Sequence, residues 1–218
     1  MKLDFSKAFE DGRTIETEGG TATFKVHHIG NLVVSTGFIV ACDPFVFFDT
    51  IPFTNQIPIG TYPIILNVIQ WADDQRVAYA KLHISNETSV EWEMALLPGQ
   101  ELASLTEEDE YFGYPVDAGT GCFMDKSAAE ILITKDESYS QFMIAEMEKH
   151  YVHTWDWTNM ELNSETNANL IAFKSGLGDG MYPSYFGFDA NRKITSLITD
   201  FLVIDDEEVY FETESDKE

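Results

Sequence analysis

The sequence is short of positive charge: 13 Lys and Arg stand against 38 Asp and Glu, a formal net charge of −25. A chain this acidic repels phosphate backbones and anionic lipid at long range, so nucleic acid and membrane surfaces are not expected partners. Cysteine is scarce, and Cys42 and Cys122 alone cannot build a disulfide framework. No apolar run approaches the ~20 residues a membrane helix needs. The opening MKLDFSKAFEDG places acids within its first dozen residues and has no apolar stretch, so it does not read as a signal peptide, and the expected location is the cytoplasm. P-loop, strand–glycine–helix dinucleotide unit, nucleophile elbow, CxxC and HExxH are all missing. What the chain does have is core-forming material, 44% hydrophobic residues over 218 positions. That is enough for one sizeable core.

Most of the chain has the pattern of strands. LVVSTGFIVA (32–41) is rich in β-branched residues and ends at Asp43-Pro44, while YPIILNVIQW (62–71) ends in the polar loop ADDQ. RVAYAKLHI (76–84) alternates Ala78, Ala80, Leu82 and Ile84 on one face, and SVEWEMAL (89–96) puts Val90, Trp92, Met94 and Leu96 inward. With SNET between them, 62–97 is expected to form an antiparallel meander. The acidic loop TEEDE (106–110) follows. Asp125 stands at an N-cap position before KSAAEILI, and Asp136 or Ser138 can start a second helix. In that helix Tyr139, Phe142, Met143 and Met147 form an apolar stripe expected to contact the core. Residues 154–169 show no clear period and read as a long irregular loop, after which NLIAFKS, MYPSYFGF and KITSLITDFLVI return to strand. The expected fold is therefore α+β: predominantly antiparallel β, sandwich-like or a strongly curved sheet, with a small helical insert around residues 126–150. One domain is expected over 1–218, with an acidic tail fraying at 205–218.

Chemistry-bearing residues gather at turns. Asp43, Asp117 in VDAGTGC, Asp179 in GLGDGMY and Asp189 in FDANR each sit beside glycine, proline, cysteine or another turn former. Loop carboxylates suit a hard cation, so Asp43, Asp117 and Asp179 are the candidate catalytic or metal-ligating set, with Ca or Mg as the ion. No cofactor is required by any motif. Each aspartate also has a local structural alternative, bonding the N–H groups of its own turn. Cys122 is a candidate nucleophile if a histidine lies near, and otherwise packs as a small apolar residue. His150-x-x-His153 with Asp156, and His27-His28, are weak metal patterns. In SGLGDGMYPSYFGFD (175–189) the aromatics alternate along a strand, making Tyr182 and Tyr185, with Asp189, candidate ligand-binding residues. VDAGTG is similar to the phosphate loop of actin-like sugar kinases, but those have it near the chain start and need two large α/β halves, which this chain lacks.

Taken in order, IGNLVVSTGFIVACDP, PIGTYPI, RVAYAKL, VEWEMAL, GYPVDAGTGCFMD and SGLGDGMYPSYFGFD resemble the bacterial family filed as domain of unknown function 4241, from about residue 29 to about 204. The resemblance implies a shared fold with shared turns and no reaction. The expected function is an acidic binding module for a basic protein partner, of the kind that neutralises a basic toxin. The alternative is a metal-dependent enzyme or small-ligand-binding domain built on the loop aspartates.

Overall fold

The computed structural model describes residues 4–17, 19–46, 51–107 and 109–204; the acidic tail at 205–218 lies outside them. Among the described residues the chain forms twelve strands and two α-helices: β1 Thr14–Thr17, β2 Gly20–Val34, β3 Ile39–Cys42, β4 Gly60–Gln70, β5 Gln75–His83, β6 Glu91–Met94, β7 Gly113–Val116, β8 Thr120–Asp125, α1 Lys126–Leu132, α2 Ser138–Glu148, β9 Trp157–Asn163, β10 Ala168–Lys174, β11 Gly180–Phe188 and β12 Ile194–Asp200. All pairings between strands are antiparallel. An eight-stranded, curled sheet runs β1-β2-β4-β5-β12-β11-β6, with β7 also on β11, and a four-stranded sheet runs β3-β8-β10-β9. This is the α+β, mainly antiparallel architecture that the sequence implies.

Side-chain alternation sorts the interior into layers. In the small sheet Ile39, Ala41, Phe123, Ile171 and Phe173 face the large sheet and meet Leu66, Leu82, Phe186 and Leu197. The opposite set, Val40, Cys42, Cys122, Met124, Leu170 and Ala172, faces the helices and packs against Ala128, Leu132, Met143 and Met147. On the outer face of the large sheet a 3-10 turn, Ser6–Phe9, brings Phe5 and Ala8 over Phe24, Tyr79 and Ile198. Full burial of each large side chain in these layers contributes about 1.5–3 kcal/mol. Asn169 stitches the two sheets: its Oδ1 accepts from Val33 N at 2.9 Å and its Nδ2 donates to Asn31 O at 2.9 Å.

Five expectations are corrected. LVVSTGFIVA is broken between β2 and β3, where the chain passes from one sheet to the other. Gly37 makes that passage at φ 83°, and a Cβ there would stand 2.5 Å from Ile57 O. The meander stops after β5, because β12 and β11 insert between β5 and β6. A register shift between Asn67 and Val68 of the partner strand turns Ala78 to the outer layer, away from Ala80 and Leu82. The supposed loop at 154–169 contains β9, with Thr158, Met160 and Leu162 buried between exposed Asn159 and Glu161. Finally, Phe142 is 52% exposed, because Tyr139, Met143 and Met147 are spaced at i, i+4 and i+8 and a residue at i+3 is turned off that line.

Candidate functional site

Three loops meet at the end of the small sheet. Asp43, directly after β3, is fully buried; its Oδ1 accepts from Phe45 N at 2.8 Å, and its Oδ2 accepts from Asp117 N at 2.9 Å and Ala118 N at 2.7 Å. Gly119 takes the left-handed conformation (φ 60°) and gives its N–H to Asp179 Oδ1 at 3.1 Å, while its carbonyl accepts from Ser175 N at 3.2 Å. The VDAGTG loop is thus held on both sides by carboxylates that accept backbone N–H groups. Charge-assisted bonds to a buried carboxylate such as Asp43 contribute about 1.5–3 kcal/mol each, and the exposed Asp179 contributes less. Asp117 contributes its N–H, and its side chain is exposed, as is that of Asp179. The three aspartates are brought together, but Asp43 spends both oxygens on the backbone.

The other candidates lie elsewhere. Asp189 closes the β11–β12 hairpin, its Oδ1 accepting from Asn191 N and Lys193 N, each at 2.8 Å; those bonds, Lys193 first, hold its carboxyl below the usual range. The length of β11 separates it from Asp179 by roughly 30 Å. Tyr182 is buried and donates its hydroxyl to Gly178 O at 2.8 Å; Tyr185 packs on Phe5 with centroids 5.3 Å apart, under the N-terminal turn. Cys122 pairs directly with Cys42 across the strands, the sulfurs 3.7 Å apart and both residues buried among apolar side chains. No histidine takes part in that cluster. The His150 ring stacks on Trp157 at 4.1 Å, His27 lies against Trp155, and His28 bonds Asn31. Among the described residues no group of three or more His, Cys, Asp or Glu side chains is placed to hold a metal ion.

Beside the VDAGTG loop a cleft of about 510 Å³ opens between that loop and α2. One wall is Ala118 and Thr120; the other is a flank of α2, Ser140, Ile144, Met147 and Glu148, at the three- and four-residue steps that share a helix face. Phe45 closes one side, and Asp156 and Lys174 complete the lining. Asp156 is placed there because the β9–β10 pairing begins at it: Lys174 N donates to Asp156 O at 3.2 Å. Its side chain is 9% exposed and its Oδ1 has no hydrogen-bond partner. Burial pushes this carboxyl above the usual range; Lys174 acts against the rise and Glu148 adds to it. In the sequence Asp156 stands only as an accessory to a histidine pair, since nothing in TWDWT announces a strand end that turns a carboxylate inward.

The profile of the family described as protein of unknown function (DUF4241) matches residues 32–199. The chain belongs to this family. The matched span of the DUF4241 chain contains every lining residue of the cleft and all three loops that meet beside it. No curated protein and no solved structure matches the chain. A second cavity, about 220 Å³, is lined by Phe5, Phe9, Lys81, His83 and Trp92 among others; Phe5 and Phe9 fall outside the matched span. There Lys81 Nζ stands 3.8 Å from the centre of the Phe9 ring, and burial draws its ammonium down to about 8. No helix among the described residues is long and apolar enough to cross a membrane.

Proposed function

We propose that this DUF4241 protein is a binding module for a basic protein partner, and that its biological form is neutralisation of a basic toxin or enzyme. The observation that carries the reading is the excess of acid over base in the chain, 38 Asp and Glu against 13 Lys and Arg. Against the net charge of −25, the six ion pairs among the described residues use only Arg13, Arg76, Lys126, Lys149 and Arg192, all at the surface. Exposed ion pairs of this kind add little stability, so the excess carboxylate is better suited to steering association than to holding the fold. Phe142 at 52% and Tyr151 at 62% exposure supply aromatic anchors.

A low-salt pull-down followed by reconstitution with the purified partner tests this. The expected result is a basic protein bound tightly at low salt, whose affinity falls as salt rises and falls again with Phe142→Ser. Capture of acidic or neutral proteins, or an affinity indifferent to salt, overturns the reading. A second reading, small-ligand binding, is favoured by one specific observation, the unpartnered carboxyl of Asp156.

A further inference from the structure

We infer that the cleft between the VDAGTG loop and α2 is a binding site for a small zwitterion of the amino-acid type, with a free ammonium, a carboxylate and an apolar side chain. The inference rests on the small-ligand reading of Asp156 and needs nothing from the surface charge. A buried carboxyl oxygen without a donor has lost its water and gained nothing in return, so the position calls for a partner that the protein does not supply. Ser140 and Thr120 line the same cleft, yet the Thr120 hydroxyl donates to Ala118 O at 3.3 Å and not to Asp156. Lys174 shares the cleft and makes no ion pair with Asp156. The two opposite charges therefore leave each other unpaired, each available to an opposite pole of one ligand.

The remaining lining fits the same molecule. Glu148 is a second carboxylate in the lining that acts on Asp156 in the same sense as burial does, and an ammonium beside Asp156 answers both. Phe45, Ile144 and Met147 are apolar, and Ile144 is 48% exposed, an apolar side chain left facing the opening. A volume of about 510 Å³ accommodates an amino acid as large as phenylalanine or a short peptide. The wall opposite α2 is rigid because Asp43 and Asp179 fix the backbone of residues 117–119. A preformed wall lowers the ordering cost of binding. Each feature alone has an ordinary explanation; only a zwitterion with an apolar body uses them all.

Binding is measured by calorimetry and thermal melting on the full chain with L-phenylalanine as probe. Phenethylamine, which lacks the carboxylate, and 3-phenylpropionate, which lacks the ammonium, serve as single-pole controls. The expected result is a raised midpoint with L-phenylalanine and at least about tenfold weaker binding for each control. Asp156→Asn is expected to abolish the preference for L-phenylalanine over 3-phenylpropionate, and Lys174→Met the preference over phenethylamine. Circular dichroism of both variants, expected to match the wild type, separates lost binding from lost folding. No response to L-phenylalanine, L-leucine or a dipeptide of the two at millimolar concentration overturns the inference. Equal binding of all three phenyl probes also overturns it, since an apolar slot without charge recognition would do that. A basic protein partner that binds normally to Asp156→Asn leaves the surface-charge reading standing whichever way the cleft experiment falls.

Discussion

Two aspartates flank the small sheet, both nine-tenths or more buried, and they are treated in opposite ways. Asp125, at the end of β8, is 1% exposed and accepts from Ser35 Oγ, Thr36 N and Oγ1, and Ser127 N and Oγ, at 2.6–3.1 Å. Burial alone would raise its carboxyl, but the bonds from Ser127 and Thr36 outweigh that and hold it below the usual range. Asp156, just before β9, is 9% exposed with an oxygen that nothing bonds, and its carboxyl is raised. Burial is thus common to both and decides neither; the supply of donors does. A carboxylate with five donors is held by the fold, and one whose buried oxygen has none is held at some cost.

The comparison breaks first at Asp125. Asp125→Ala strips the N-cap of α1 and the acceptor that ties residues 35–36 to it, so a loss of about 3–4 kcal/mol in urea denaturation is expected. A loss under about 1 kcal/mol would mean that water replaces the carboxylate freely and that its donors are not structural. Asp43→Ala comes next. It leaves the half-buried Phe45, Asp117 and Ala118 N–H groups without their acceptor, for an expected loss of about 2 kcal/mol. Because those N–H groups shape the cleft wall, the same variant is expected to weaken L-phenylalanine binding without touching the charged poles.

Asp156→Asn should have the opposite sign. The amide keeps the volume, removes a buried charge and supplies a donor of its own, so stability at neutral pH stays level or rises by up to about 1 kcal/mol. The pH dependence carries the sign more clearly than the magnitude. The folded protein holds the Asp156 proton more tightly than the unfolded chain does. Stability therefore falls as pH rises from the ordinary value of 3.8 through the raised folded value, and the penalty is complete above it. Asp125 runs the other way: its contribution is complete above 3.8 and is lost as pH falls through its depressed folded value. Asp156→Asn should delete the falling component and leave the rising one. A wild-type stability curve with no falling component above pH 3.8 would remove the basis of the contrast.

These two sites also show what a linear sequence can and cannot convey. Asp125 is legible because its role is local: an N-cap residue is followed two positions later by the N–H it accepts. The strand cores of β4, β5, β10 and β12 are legible for the same reason, as alternation and β-branching are written into neighbouring residues. Asp43 and Asp179 could be named as turn aspartates, but the N–H groups they hold are 74, 75 and 60 residues away along the chain. Asp156 was obscured further, because TWDWTNMELN mixes polar and aromatic residues and its two-residue period appears only once Thr158 is counted as an inward residue. The insertion of β12 and β11 beside β5 is a long-range pairing with no trace in the SNET turn.

The smallest effect is the finest test of the Asp156 environment. Lys174 lowers the Asp156 carboxyl through space without an ion pair, so Lys174→Met should raise it further and carry the falling part of the stability curve to higher pH. Lys174 is only half-buried, and solvent screening limits the change to a few tenths of a kcal/mol. The shift should shrink as salt rises, since a through-space interaction is screened where a hydrogen bond is not. The double variant with Asp156→Asn should show no pH effect of Lys174→Met at all. Coupling that persists without the Asp156 carboxyl would place the charge felt by Lys174 on Glu148 instead, and the ammonium end of the cleft would then be the exposed carboxylate rather than the buried one.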